Sequence, residues 1–173
     1  ALDCERVGEG SRLQLLDQHV RVLSVPGHTR SHVAYLVHGH LFCGDTLFSL
    51  GCGRMFEGTA AQLHGSLQRL AALPGDTRVC CGHEYTLANA RFACEVEPDN
   101  AALALRRAEA VRQRASAVPT LPTTLASERD CNPFLRCDIA TVRDAVAHRL
   151  GRAPADEVET FAALRGWKDE FRG

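Results

Sequence analysis

Lysine is almost absent from this chain: all but one of its 20 basic residues are arginine, the exception being Lys168. That bias, with abundant alanine, reads as the coding habit of a GC-rich genome and carries no function by itself. With 21 acidic residues the net charge is -1, so no field of one sign is present to attract a nucleic acid or an anionic membrane. A small molecule is the expected partner. Long apolar runs are lacking too, none approaching the roughly 18–20 residues that span a bilayer, and no signal peptide opens the chain. A soluble, cytoplasmic protein is expected. No C-x-x-C pair occurs among the eight cysteines, which excludes a zinc ribbon, and several of them sit in apolar runs. Reduced, buried thiols are therefore favoured over a disulfide framework. The chain opens on Ala1 and its single methionine is Met55, so further chain is expected upstream.

What is present starts with a 45% hydrophobic content over 173 residues, enough for one core, or a compact domain with a smaller appendage. The first half reads as mixed. Arg21–Val25, Val33–Val37, Leu41–Cys43 and Arg78–Cys81 are short β-branched or apolar runs, the middle two joined as a hairpin through His38-Gly39-His40. Thr59 to Leu73 carries Leu63, Leu67 and Leu70 at helical spacing and stops at Pro74-Gly75. After Tyr85 the period changes: Thr86 to Glu97, Asn100 to Val118, Ile139 to Leu150 and Glu157 to Phe171 predict helices, with Asp99 and Asp138 placed as N-caps. Pro119, Pro122 and Asn132-Pro133 predict loop between them. The fold class is thus α/β, with a boundary near residue 86 dividing 1–86 from a helical 87–173.

Three of the apolar strands end alike, in Pro26-Gly27-His28, Cys43-Gly44-Asp45 and Cys81-Gly82-His83. Each ending places a metal-ligating side chain behind a glycine that permits close backbone approach. A lone histidine at a strand end is usually inert, but His, Asp and His together suit zinc first, with manganese or iron as alternatives. The other histidines have no such setting. His38 and His40 lie in the hairpin turn. His32 has ligand spacing to His28 only on a helix, which Pro26-Gly27 and the following strand argue against. His19, His64 and His148 lack companions. All six are read as structural or surface residues.

These endings belong to longer runs. Pro26-Gly27-His28-Thr29, Leu41 to Phe48, Gly51 to Thr59 and Cys81 to Thr86 resemble successive signatures of the glyoxalase II family, the hydroxyacylglutathione hydrolases. Glu97-Pro98-Asp99-Asn100, Asn132 to Arg136 and Leu164 to Asp169 resemble that family's helical C-terminal region. The resemblance implies the C-terminal part of a metallo-β-lactamase αβ/βα sandwich, followed by an α-helical substrate-binding domain. It implies two divalent metal ions, with His28 a ligand of the first, His83 of the second, and Asp45 bridging them. Asp45 is then the catalytic residue as a bridging ligand, not as a general base. The family's other four ligands come from a T-H-x-H-x-D-H motif that this sequence lacks. The chain by itself is expected to be inactive and to depend on a missing N-terminal half.

The implied reaction is hydrolysis of S-(2-hydroxyacyl)glutathione, typically S-D-lactoylglutathione, by a metal-activated hydroxide, as in methylglyoxal detoxification. A departing thiolate with a pKa near 8.5 needs no strong general acid. Gly51 to Gly58 lacks the Walker lysine of a phosphate cradle and reads better as a substrate loop. The resemblance places Arg54, Met55 and Phe56 of that loop against glutathione, with Tyr85 and Asn89 close by. Arg165 and Lys168, three apart on the last helix, would face a glutathione carboxylate, with Phe161 and Leu164 docking that helix. Cys52, beside the loop, is a poor candidate nucleophile. Two other readings stay open: a non-catalytic, glutathione-recognising fragment, and another metallo-β-lactamase-type hydrolase or a persulfide dioxygenase. An incomplete sandwich should also leave apolar sheet surface exposed, and with it a tendency to associate.

Overall fold

The computed structural model describes residues 4–173; Ala1, from which an upstream segment was expected, lies outside them. Alternating apolar residues build strands β1 (Arg12–Leu15), β2 (Gln18–Ser24), β3 (Val33–Val37) and β4 (His40–Gly44) as consecutive antiparallel neighbours. The β3–β4 turn is a two-residue one, with His38 at φ 46 and Gly39 at φ 67, the backbone that matches strand twist. His38 is an exposed turn residue as expected, whereas His40 opens β4 half-buried, its Nδ1 donating to the His38 carbonyl at 2.9 Å. A small hairpin follows, β5 (Leu47–Phe48) and β6 (Gly51–Cys52).

Helix α1 (Ala60–Ala71) opens with a capping box: the Gln62 amide donates to the Thr59 hydroxyl at 3.2 Å, and the Thr59 amide to the Gln62 side chain at 3.0 Å. Its leucine stripe of Leu63, Leu67 and Leu70 is fully buried against the sheet. The chain then enters β7 (Arg78–Cys81), which pairs parallel to β4. Because β2 and β4 are each antiparallel to β3, and β7 is parallel to β4, strands β2, β4 and β7 all run the same way. Their C-terminal ends leave the sheet at one edge. The three similar strand endings in the sequence are the record of that shared direction.

The second half supplies α2 (Thr86–Val96), α3 (Ala101–Ala115), the edge strand β8 (Thr123–Thr124), α4 (Leu125–Cys131), a 3-10 turn (Pro133–Leu135), α5 (Ala140–Leu150) and α6 (Glu157–Glu170). Two predicted caps are corrected. Asn100, not Asp99, caps α3 by accepting from the Leu103 amide at 3.1 Å, and Ile139 stands at the start of α5 without a side-chain cap. The predicted loop through residues 119–133 contains α4, capped by Thr124. Seven residues between prolines show too few apolar positions to display a period.

One core crosses residue 86, joining Leu41 and Val79 of the sheet to Leu67, Phe92, Phe134 and Phe161. The opposite sheet face is apolar as well. Register places Val22, Tyr35, Phe42 and Cys80 side by side on it, with Phe42 46% and Leu15 57% exposed. Among the described residues all eight cysteines are free, and no helix is long and apolar enough to cross a membrane.

Candidate metal centre

At the common strand edge, Asp45 lies between two imidazoles. His28 Nε2 is 3.5 Å from Asp45 Oδ2, and His83 Nε2 is 3.5 Å from Asp45 Oδ1. Each carboxylate oxygen therefore faces a different ring. A separation of 3.5 Å is long for an N–H···O bond. It is close to the roughly 3.3 Å that separates two donors in a tetrahedral shell when each is about 2.0–2.1 Å from zinc. The donor set and spacing thus fit a carboxylate shared between two ions, with one imidazole on each. A single shell of His28, Asp45 and His83 is not formed: among the described residues no three His, Cys, Asp or Glu side chains group around one point. The reason is the sheet order β2-β3-β4-β7, which sets β2 and β7 three strand spacings apart, so only the carboxylate between them reaches both rings.

Local contacts aim these groups. His28 Nδ1 lies 2.8 Å from the Arg54 carbonyl, which makes it the N–H donor and leaves the Nε2 lone pair facing Asp45. The His83 ring stacks on Tyr85 at 5.0 Å and meets the Phe48 edge at 6.0 Å. Two glycines make room for Asp45: a Cβ on Gly53 would sit 1.8 Å from the Asp45 carbonyl oxygen, and one on Gly82 2.6 Å from Asp45 Oδ1. His32, read from the sequence as a structural or surface residue, is structural and supports Asp45 directly. Its Nε2 accepts the Asp45 amide at 3.2 Å, and its ring stands edge-on to His28 at 5.5 Å. Burial, and then the neighbouring His28, hold its pKa below the ordinary histidine value, which suits a neutral acceptor. The contact spans the hairpin, so no local spacing could reveal it.

Beside this edge opens a cleft of about 580 Å³ between the sheet and α6, whose walls include His83, Arg54, Phe56, Tyr85, Asn89 and Lys168. Phe56 is 69% exposed and places its ring 5.0 Å from His28. Arg54 Nε is 3.5 Å from Asp169 Oδ1. Asn89 is buried and donates to the Ser49 carbonyl at 3.0 Å, which commits its amide to the β5–β6 turn. Lys168 Nζ donates to the Ala88 carbonyl at 3.2 Å and lies 5.2 Å from the Phe92 ring centre. Burial, followed by the charge of Arg165, pushes the Lys168 ammonium down to about 8.

Two further expected substrate contacts differ: Met55 stands outside the cleft lining, while Arg165 lines the cleft with most of its guanidinium engaged by the protein. Met55 is half-buried and packs on the core. Arg165 is only 4% exposed, donates to the Cys52 carbonyl at 3.0 Å and to Asp169 at 3.0 Å, and lies over the Phe134 ring. Among the described residues its Nε has no partner. Arg165 and Lys168 thus do not form an open fork: both line the cleft, but Arg165 follows Leu164 inward and is buried while Lys168 is the more exposed of the two. Asp169, which links Arg165 to Arg54, was missed, although its i,i+4 spacing to Arg165 is a readable signal. Cys52 is buried, which pushes its thiol up to about 11 and counts against a nucleophile.

The sheet whose co-directional strands bring His, Asp and His to one edge lies within residues 3–83, which match the model of the metallo-beta-lactamase superfamily and place the chain in it. The chain also resembles ETHE1 from Myxococcus xanthus (TM-score 0.57, 25% identity, 94% of this chain and 52% of that one). A second structure, TTHA1623 in a di-iron-bound form, aligns with TM-score 0.52 and 28% identity over 78% of this chain and 50% of its own. Residues 84–171 match the hydroxyacylglutathione hydrolase C-terminus. Hydroxyacylglutathione hydrolase of Xanthomonas axonopodis pv. citri (strain 306) is 62% identical over 170 residues, 98% of this chain and 67% of that protein. That of Xylella fastidiosa (strain M23) is 56% identical over 171 residues, 99% of this chain and 66% of that one. The chain belongs to the hydroxyacylglutathione hydrolase family of thioesterases, and spans about two thirds of the length of these relatives.

Proposed function

We propose that this chain supplies three ligands of a dinuclear centre, and the adjoining substrate cleft, of a cytoplasmic enzyme that cleaves S-(2-hydroxyacyl)glutathione into glutathione and a 2-hydroxy acid. The observation carrying this reading is Asp45, with one oxygen turned to each imidazole at the same 3.5 Å. His28 and Asp45 would hold one ion, and His83 and Asp45 the other. Zinc is favoured by the His and Asp donors, and iron is the second choice because TTHA1623 is described in a di-iron-bound form. When bound, such ions supply Lewis acidity that lowers the pKa of water and polarises a thioester carbonyl.

The chain's own residues do the rest. Asp45 fixes the separation of the two half-sites, and the Arg54 carbonyl keeps His28 in its ligating tautomer. Lys168 is the cation at the cleft that meets a glutathione carboxylate, with Arg54 as a second, more exposed one. Phe56, Tyr85 and Asn89 wall the glutathione site, and residues 87–173 form the substrate-binding half. No proton donor to sulfur is required, because a thiolate of pKa about 8.5 leaves unaided. Two protein donors per ion fall short of the three or four that zinc takes. We therefore place the remaining ligands in a T-H-x-H-x-D-H segment outside these 173 residues.

Zinc titration of the 173-residue chain against a chromophoric chelator tests the assignment. Weak binding is expected, removed altogether by Asp45→Ala and in part by His28→Ala or His83→Ala. Zinc uptake indifferent to Asp45→Ala would overturn it.

A further inference from the structure

Glu128 of α4 is completely buried, and its carboxylate is saturated with hydrogen bonds. Oε1 accepts from the Ser49 hydroxyl at 3.0 Å and the Thr123 hydroxyl at 2.9 Å; Oε2 accepts from the Leu50 amide at 2.7 Å and the Asn132 side-chain amide at 3.0 Å. Burial raises this carboxyl above the usual carboxylate range, and the buried Arg106 guanidinium stands just behind, 3.4 Å from the Ser49 hydroxyl. An ionisable group in such surroundings stabilises little that an apolar side chain could not. What it adds is direction. Ser49 and Leu50 are the turn of the β5–β6 hairpin, and Leu50 is held at φ 60, a left-handed backbone that leucine avoids unless its surroundings impose it.

The same turn is gripped from the helical half at its carbonyls. Asn132 Nδ2 donates to the Phe48 carbonyl at 3.2 Å and to the Gly51 carbonyl at 3.0 Å, and Asn89 donates to the Ser49 carbonyl at 3.0 Å. Both arms of the hairpin run from this turn to the metal edge. The first arm begins just after Asp45 and carries Phe48, whose ring meets His83 at 6.0 Å. The second passes Gly53, whose amide donates to the Thr46 carbonyl at 3.1 Å, and ends at the Arg54 carbonyl 2.8 Å from His28 Nδ1.

We propose that Glu128 is a positioning residue for the metal edge: by fixing the Ser49–Leu50 turn it sets where the hairpin presents the Arg54 carbonyl to His28 and the Phe48 ring to His83. This rests on the assignment of His28, Asp45 and His83 as metal ligands. It adds that their aim is set by the helical half of the chain, through a carboxylate that touches neither ligand nor substrate.

The test compares Glu128→Gln with Thr123→Val in the 173-residue chain. Glutamine keeps the size but turns an amide towards two hydrogen-bond donors, disturbing the turn. Valine removes a donor to the same carboxylate from outside the hairpin. Each variant is read by melting temperature, zinc affinity, and hydrogen exchange of the hairpin amides at a temperature where it remains folded. Glu128→Gln should weaken zinc about tenfold or more, as loss of an orienting partner does, and speed exchange at Leu50. Thr123→Val should lower the melting temperature yet change zinc affinity by less than about twofold. Weakening of zinc in both variants in proportion to lost melting temperature would make Glu128 a packing element and end the proposal. If the unmutated chain takes up no zinc, it is the ligand assignment that fails; the hairpin exchange needs no metal, and unchanged protection at Leu50 in Glu128→Gln overturns the positioning role by itself. Should Glu128→Gln not fold, Ser49→Ala, which leaves the carboxylate its other donors, is read against the same criteria.

Discussion

The strand edge and the α6 wall face the same cleft, yet they hold their functional groups in opposite ways. At the strand edge the side chains are short, and the backbone aims them: three co-directional strands stop together, and Asp45 needs only its own carboxylate to meet two rings. At the α6 wall the charged groups are long, and the core claims part of them. Arg165 is drawn inward to the Cys52 carbonyl, while Lys168, one turn on, spans the surface of Phe92 to reach the cleft. Backbone placement is decided by topology and tolerates little change. Long side chains divide their length between packing and recognition, so their roles follow from neighbours far away in sequence.

The largest expected effect lies at the strand edge. Asp45→Ala should abolish measurable zinc uptake at both half-sites, whereas loss of Lys168 should leave zinc uptake unchanged; equal effects of the two on metal content would erase the distinction. On the wall, Arg165→Ala should act chiefly on folding. Stranding the Cys52 carbonyl and freeing Asp169 should cost about 2–3 kcal/mol in denaturant unfolding, and a variant as stable as the parent would return Arg165 to a purely recognising role.

Lys168→Ala should weaken binding of a non-hydrolysable S-alkylglutathione by about one to two decades, the value of a charge-assisted contact, with little change in melting temperature. The same group predicts a pH break. Because burial has brought its pKa down to about 8, Lys168 carries its charge below that pH and loses it above, so affinity for the glutathione carboxylate should fall as pH rises through about 8. A binding profile flat from neutrality to pH 9.5 would remove Lys168 from the site. The smallest effect is expected at Met55, where a volume-conserving change to leucine on the core side should cost under about 1.5 kcal/mol and leave S-alkylglutathione binding intact; a loss of binding would put Met55 back in the cleft wall.

The two regions also differed in how far the sequence disclosed them. His28, Asp45 and His83 were legible because their strands repeat one ending, and the repetition reflects strand direction, a property the chain writes locally. Strands β3 and β7 and helix α1 followed from apolar spacing and turn residues for the same reason. What stayed hidden depends on contacts across long separations. His32 meets the Asp45 amide only after β3 and β4 have paired; Glu128 meets Leu50 only after α4 has docked; and the inward turn of Arg165 is fixed by Cys52, in the other half of the chain. Helix α4 was too short to show a period, and at α3 the cap fell to Asn100, where its neighbour Asp99 had been expected.

The close contacts around Asp45 have a genetic consequence. Gly53 and Gly82 lie so near the Asp45 carbonyl and carboxylate that an added methyl would overlap oxygen. Every missense change open to a glycine codon by a single nucleotide adds at least that methyl, so neither position has a mild allele within reach. In a saturation-mutagenesis library selected for zinc uptake, these two positions should be as depleted as His28, Asp45 and His83, although neither carries a side chain to contribute.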